Sequence, residues 1–285
     1  MHSTRYCFLR FPGGLPKAVT FSYDDGAFTD VRLVETADKY GLKFTLNLTG
    51  DAVEKEKGLS IDYLKNTVLA HGHEIATHGY MHRAPQTLRP IEFIRETLDT
   101  RLILEEKLGD IIRGFAYPDL HVDRFARPET YKTVKSALTQ LDIAYGRMAC
   151  SSKSFELPED WHNWQPTAHH DEPWLFEKLD EFIALDLAKT YCSGHSPKLF
   201  FIWGHSFEFE AKQNWHRLEE ICSRISGKSD VWYATGIEIC SYAAAFDSLL
   251  WSANGRRVFN PTLYTLWFDA DGKTFSIAPG ETLTI

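Results

Sequence analysis

An α/β fold built as a barrel, followed by a short all-β appendage, is what this sequence predicts, and three observations predict it. Strand-like and helix-like patterns alternate about seven times between Ala18 and Leu249, and such alternation implies a parallel sheet with crossover helices. About seven units in a stretch of this length suit a closed sheet better than an open one. The pattern then changes after Trp251, where TLYTLWFDADGKTFSIAPGETLTI alternates as strands do, with Asp271-Gly272 and Pro279-Gly280 as hairpin turns. The expected division is a barrel over residues 1–250 and a β-hairpin tail over residues 251–285. A tail of about 30 residues is too short for its own core and should pack on the barrel.

Each element has its own signal. Ala18–Ser22 is a short apolar run, a strand. Asp30–Tyr40 has Val31, Val34 and Ala37 at helical spacing and stops at Gly41. Lys43–Leu48 alternates as a strand. Ile61–Ala70 is helical, with Ser60 as N-cap and Gly72 as stop. Glu74–Thr77 is a strand. Pro90–Leu108 is the clearest helix, with proline at its start, Ile91, Ile94, Leu98, Leu102 and Leu108 as its apolar face, and Gly109 at its end. Gly114–Tyr117 and Ile143–Met148 read as strands around a helix at Pro128–Leu141. Trp174–Tyr191, Trp215–Ile225 and Gly236–Leu249 read as helices, and Leu199–Trp203 and Val231–Ala234 as strands. The loop Cys150–Pro173 is long and rich in Trp and His, and long ordered loops are disproportionately functional.

The chain has 285 residues, 44% apolar and 25% charged, which is the composition of an ordinary globular domain. Its net charge of −8 argues against non-specific binding to nucleic acid or an anionic membrane. The N-terminus lacks a secretory apolar stretch, and no run is long enough to span a bilayer. The five cysteines (Cys7, Cys150, Cys192, Cys222, Cys240) form no CxxC pair. An odd, dispersed count suits reduced thiols, and the expected location is cytoplasmic.

Three polar clusters carry the chemistry. Asp24-Asp25-Gly26 follows the first barrel strand, and adjacent carboxylates need either full solvation or a use. HGHEIATHGYMH holds four of the twelve histidines. In it His78 and His82, spaced i and i+4, would lie on one side of a helical turn and suit one metal ion. Trp203-Gly204-His205 ends another strand. Taken singly, each has a bland reading: a solvated turn, a chance pair, a structural histidine. All three sit at strand ends, where parallel barrels build their sites. Together they supply a carboxylate and two imidazoles for a cation, plus a spare carboxylate and a spare imidazole.

SYDDG, GHEIATHGYMH, RGFAYP and IWGHS, in this order, resemble the signature blocks of the polysaccharide deacetylases, carbohydrate esterase family 4 (the NodB-homology domain). The resemblance runs from about Ala18 to Ala245 and leaves the tail outside. It implies a distorted (β/α)7 barrel and a hydrolase that removes N-acetyl or related acyl groups from an amino sugar or glycan. It also implies one divalent metal, zinc first, with cobalt, nickel or manganese as alternatives. Carried over by position, Asp25, His78 and His82 hold the metal, Asp24 is the general base and His205 the general acid. Where the family has an Arg-Pro-Pro-Tyr-Gly-like block, this chain has Ala116-Tyr117-Pro118-Asp119-Leu120. The family's base-orienting arginine is absent from the aligned position; Arg113 and Arg147 are the candidates to substitute for it, and Arg147 is preferred because it would lie at a strand end. The family's later Asp and Trp block, which partners the acid histidine, has no clean match, and Trp164, His169, His170 and Asp171 are assigned by location. Tyr117, Asp119, Trp164 and His169 are the expected substrate contacts. His71 and His73 read as turn and strand residues. The expected partner is a small-molecule or glycan substrate, with no nucleic acid and no membrane. An amide, imide or ureide hydrolase on a small non-sugar substrate is the second reading, and a non-catalytic carbohydrate-binding protein the third.

Overall fold

The computed structural model describes residues 6–119, 128–187 and 195–285. The elements in chain order are β1 (Cys7–Arg10), β2 (Lys17–Asp24), α1 (Asp30–Tyr40), β3 (Phe44–Leu48), α2 (Gly50–Glu54), α3 (Ile61–Tyr63, continued by a π-helical turn Leu64–Leu69) and β4 (Glu74–Thr77). Then come α4 (Pro90–Leu108), β5 (Gly114–Ala116), α5 (Pro128–Gln140), β6 (Tyr145–Arg147), β7 (Ala168–His169), α6 (Leu175–Ala184), β8 (Lys198–Gly204), α7 (Ser206–Ala211), α8 (Trp215–Ile225), β9 (Val231–Tyr233) and α9 (Gly236–Asp247). The tail holds β10 (Leu250–Trp251), β11 (Arg257–Phe259), β12 (Leu266–Ala270), β13 (Lys273–Ile277) and β14 (Thr282–Thr284). Leu120, Cys192 and the C-terminal part of the helix expected at Trp174–Tyr191 lie outside the described residues.

The barrel strands are all parallel, in the order β6-β5-β4-β3-β2-β8-β7, with β9 beside the start of β2. The central strands are covered on both faces: every residue of β2 and of β8 is buried, as expected for a parallel sheet wrapped by helices. Val19, Phe21 and Tyr23 of β2 face the helices, with Phe200 and Ile202 of β8. The sheet curls until its edges approach each other. Trp164 bridges to Arg147 at the β6 edge, and four residues later Ala168 pairs with Ile202 of β8. The long loop after Cys150 is thus a structural span between two strands.

Two expectations about packing are corrected. The buried face of α4 is Phe93, Thr97, Thr100, Leu104 and Leu108, while Ile91 and Leu102 are exposed. The threonines can face the sheet because their hydroxyls donate back to the helix, Thr97 to the Phe93 carbonyl (3.1 Å) and Thr100 to that of Glu96 (2.8 Å). The tail is also more than a hairpin. Asp271-Gly272 does close β12 on β13, but Pro279-Gly280 connects two different sheets, because β14 pairs with β11. β1, from the other end of the chain, pairs with β12 to complete the sheet β1-β12-β13. Leu9, Phe268 and Ile277 of that sheet join Ala243 and Leu249 in one apolar cluster with Tyr145 and Phe201.

Glu74 sits deep among the barrel strands. It accepts from Tyr145 Oη (2.7 Å), Thr45 Oγ1 (2.8 Å) and the Ile237 N–H at the start of α9 (2.9 Å). Burial pushes its carboxyl up to about 7, with these three hydrogen bonds opposing. The folded state therefore keeps a proton that the unfolded chain releases above about 4.5, so stability falls as pH rises from there to about 7. Glu74→Gln should flatten this slope, worth about 3 kcal/mol. Melting temperatures of both proteins between pH 5 and 8 check it; parallel curves would count against it.

Among the described residues no helix is long and apolar enough to cross a membrane, and Cys7, Cys222 and Cys240 are free thiols.

Candidate active site

Strand periodicity fixes which side chains meet inside the barrel mouth. Ala18, Thr20, Ser22 and Asp24 alternate with the helix-facing residues of β2, so Asp24 ends its strand pointing inward. Asn47 lies beside it on β3 in direct register. His78 continues the phase of Glu74 and Ala76 just past β4, Arg147 that of Tyr145, and His205 that of Phe201 and Trp203. One layer of inward positions thus collects a carboxylate, an amide, a guanidinium and two imidazoles from five strands.

Asp24 is buried, at 2% exposure. Both its oxygens accept from Arg147 Nη2, and Oδ1 accepts from Asn47 Nδ2 at 2.8 Å. Burial alone would raise this carboxyl; the Arg147, His78 and His205 charges overcome it and hold it below the ordinary carboxylate range. Arg147 is fully buried, its guanidinium 4.7 Å from the Trp203 ring. Arg113 is instead a surface residue paired with Asp142 at 2.9 Å.

Asp25 turns away from the strand with φ 79°, which sends its carboxylate toward the histidines. Its Oδ1 lies 3.7 Å from His78 Nε2 and 3.5 Å from His82 Nε2. The segment His78–His82 is not the helical turn that its spacing suggests. Gly79 (φ 72°) and His82 (φ 54°) are left-handed, and the loop folds back so that the two rings meet edge to face at 4.7 Å. The Glu96 carboxylate on α4 accepts from the Met81 N–H at 2.8 Å and secures the loop. His78 Nδ1 lies 2.9 Å from the Ala116 carbonyl. A carbonyl only accepts, so Nδ1 carries the proton and Nε2 keeps its lone pair. Burial lowers the pKa of this ring against the pull of Asp24 and Asp25. One donor atom from each of Asp25, His78 and His82 lies within 4.8 Å of the others, and the set fits a divalent cation with open positions.

His205 faces this group from β8. Its Nε2 is 3.8 Å from Asp24 Oδ2 and 4.0 Å from Asp25 Oδ2, and its Nδ1 is 3.6 Å from Glu208 Oε2. Burial lowers the His205 pKa, but Glu208, Asp24 and Asp25 outweigh it and the net shift is upward. Glu208 is a site residue that sequence reasoning misses. It lies one helical turn after His205, and His169 (3.1 Å) and His170 (3.0 Å) point their Nε2 atoms at it. Burial would raise its carboxyl; the three imidazoles drive it far down.

His169, His170, Asp171 and Glu208 also cluster closely enough for a cation, but the hydrogen bonding differs. His169 Nδ1 accepts from the Asp171 N–H at 3.2 Å, so in the neutral ring Nε2 carries the proton and faces Glu208 as a donor. Asp171 already pairs with Lys212. This cluster is a cradle for Glu208. His170, fully buried, stacks between Tyr23 (5.7 Å) and Phe209 (4.1 Å). Residue 204 must be glycine, since a Cβ there would lie 2.0 Å from His170 Nδ1.

Two expected substrate contacts are corrected. Tyr117 is fully buried against Phe115 and donates to the His162 carbonyl at 2.7 Å. Trp164, at 1% exposure, packs on Tyr145, Trp161 and Phe201. Asp119 does reach the site, its Oδ2 3.6 Å from His82 Nδ1, and His169 reaches Glu208. His71 and His73 lie elsewhere, paired with Asp38 at 2.7 and 3.1 Å.

The polysaccharide deacetylase family matches residues 13–137. No curated protein matches the sequence. Among solved structures, a Mycobacterium smegmatis protein assigned to the polysaccharide deacetylases is 16% identical, with TM-score 0.59, covering 84% of this chain and 94% of that one. The PuuE allantoinase is 13% identical, with TM-score 0.60 over 81% and 91%. A family 4 acetyl xylan esterase from Clostridium thermocellum, in complex with a cobalt ion, is 16% identical, with TM-score 0.52 over 80% and 92%. At these identities the likeness shows the distorted (β/α)7 barrel. The family match covers residues 13–137, less than half of the chain, so the chain resembles the polysaccharide deacetylase family over that stretch and shares its barrel fold.

Proposed function

We propose that this protein is a metal-dependent hydrolase that removes an N-acetyl or related acyl group from an amino sugar or glycan. The observation that carries the reading is the meeting of Asp25, His78 and His82 beside a buried Asp24 and opposite His205. When bound by those three ligands, a divalent ion, zinc or cobalt first, supplies Lewis acidity to an acyl oxygen and makes water easier to deprotonate. Asp24, kept ionised by Arg147, takes the proton of the attacking water. His205, whose Nε2 faces the same space, donates a proton to the departing amine, which leaves poorly until protonated. Glu208 orients the ring from Nδ1 and favours its charged form. The long loop, with β7 inside it, brings His169 and His170 to hold Glu208.

The likeness to an allantoinase at TM-score 0.60 favours a second reading, a small cyclic amide or ureide as substrate on the same machinery. Both readings suit a small-molecule or glycan partner. Protein loaded with zinc or cobalt should release acetate from N-acetylglucosamine oligomers. Turnover of allantoin without acetate release would replace the first reading with the second, and no amide hydrolysis in either assay would remove both.

A further inference from the structure

We propose that Phe28 and Phe207 form a leaving-group subsite that receives the carbon face of an amino-sugar ring, an inference resting on the deacetylase reading above. Three large apolar side chains stay exposed on the segments that carry site residues: Phe28 at 76%, Met81 at 45% and Phe207 at 42%. Each comes from a different strand-end segment and sits close in sequence to a group the chemistry uses. Phe28 follows Asp25 by three residues, Met81 precedes His82, and Phe207 follows His205 by two. Scattered exposed apolar residues are ordinary, but several around one polar cleft mark a binding surface.

The two phenylalanine segments are joined. Thr29 Oγ1 and Ser206 Oγ are 2.6 Å apart, which holds the turn carrying Phe28 against the start of α7 carrying Phe207. The Phe207 ring lies 5.0 Å from that of His205, inclined by 38°. His205 protonates the departing nitrogen, so the part of the substrate bearing that nitrogen lies on its side of the cleft, within reach of Phe207. The acyl group lies on the side of Asp25, His78 and His82.

The chemistry of the rim selects the ligand. A pyranose with equatorial hydroxyls offers a face of C–H groups that an aromatic ring covers well, while its hydroxyls remain in water. A small cyclic ureide has polar groups around its whole edge and gains little from exposed phenyl rings. The carboxylates of Asp24, Asp25, Asp119 and Glu208 crowd the same mouth. They disfavour an anionic sugar and favour one whose product is an ammonium.

The test compares Phe28→Ala, Phe207→Ala and Phe207→Tyr with the parent, all zinc-loaded, on an N-acetylglucosamine oligomer and on N-methylacetamide. Each alanine variant should lower kcat/KM for the sugar about tenfold more than for the ringless amide, mainly through KM, and Phe207→Tyr should restore it. In a turnover-disabled Asp24→Asn background, calorimetry should show a similar loss of oligomer affinity. Equal losses on both substrates would overturn the subsite while leaving the deacetylase reading intact. Parent protein that opens allantoin but releases no acetate from the sugar would overturn both.

Discussion

His78→Ala or His82→Ala should strip the divalent ion and the activity together, whereas Asp24→Asn should keep the ion and lose about a thousandfold in kcat. The contrast follows from where each side chain points. His78 is locked by its Nδ1 on the Ala116 carbonyl with Nε2 facing Asp25, so its removal takes one of three donors and leaves a set too sparse for tight binding. Asp24 has both oxygens on Arg147 and one on Asn47. In the proposed mechanism it is the proton acceptor, held by cation and amide, and an asparagine there would lose basicity and the ionic contact to Arg147. Metal content after dialysis, read by mass spectrometry beside acetate release, separates the cases. Loss of the ion from Asp24→Asn would mean that the two aspartates have their roles exchanged.

Much of this site was legible because it is written in strand ends. Asp24 and Arg147 each end a strand and His205 follows one directly, in an inward phase that alternation sets, and a barrel collects inward strand ends at one mouth. The preference for Arg147 over Arg113 rested on that argument, and the structure pairs Arg147 with Asp24 and Arg113 with Asp142. Asn47, the inward-phase residue of KFTLNL that the structure sets beside Asp24, was not singled out in the sequence. Glu208 was hidden because SFEFEA, just past the strand, forms a helix of six residues, too short to announce itself by periodicity. Its role depends on His169 and His170, about forty residues earlier. Tyr117, expected from its place in the block that departs from the family pattern, and Trp164, assigned by its location in the long loop, instead fill the core. The pairing of β1 with β12 joins the ends of the chain, and no local pattern encodes it.

Arg147→Met should destabilise the protein by about 3–5 kcal/mol and abolish turnover at neutral pH. Arg147 has no exposed surface and the Asp24 side chain only 3%, so methionine of comparable length leaves a carboxylate buried without its cation. The sign of the pH dependence should reverse with it. In the parent, the folded pKa of Asp24 lies below its unfolded value, so its contribution is present above about 3.9 and is lost as acid protonates the folded state. Without Arg147, desolvation is met only by His78, His205 and Asn47. The folded pKa should then rise above the unfolded one, making the variant less stable as pH increases from about 3.9 towards the new folded pKa. Arg147→Lys should keep a charge but lose the planar donor that spans both oxygens, and should recover stability better than activity. Adding Asp24→Asn to Arg147→Met should restore part of the lost stability and none of the turnover. That result would separate the cost of an unpaired buried charge from the loss of a base. If the double variant were as unstable as Arg147→Met alone, the damage would lie in packing against Trp203 instead of in the ion pair.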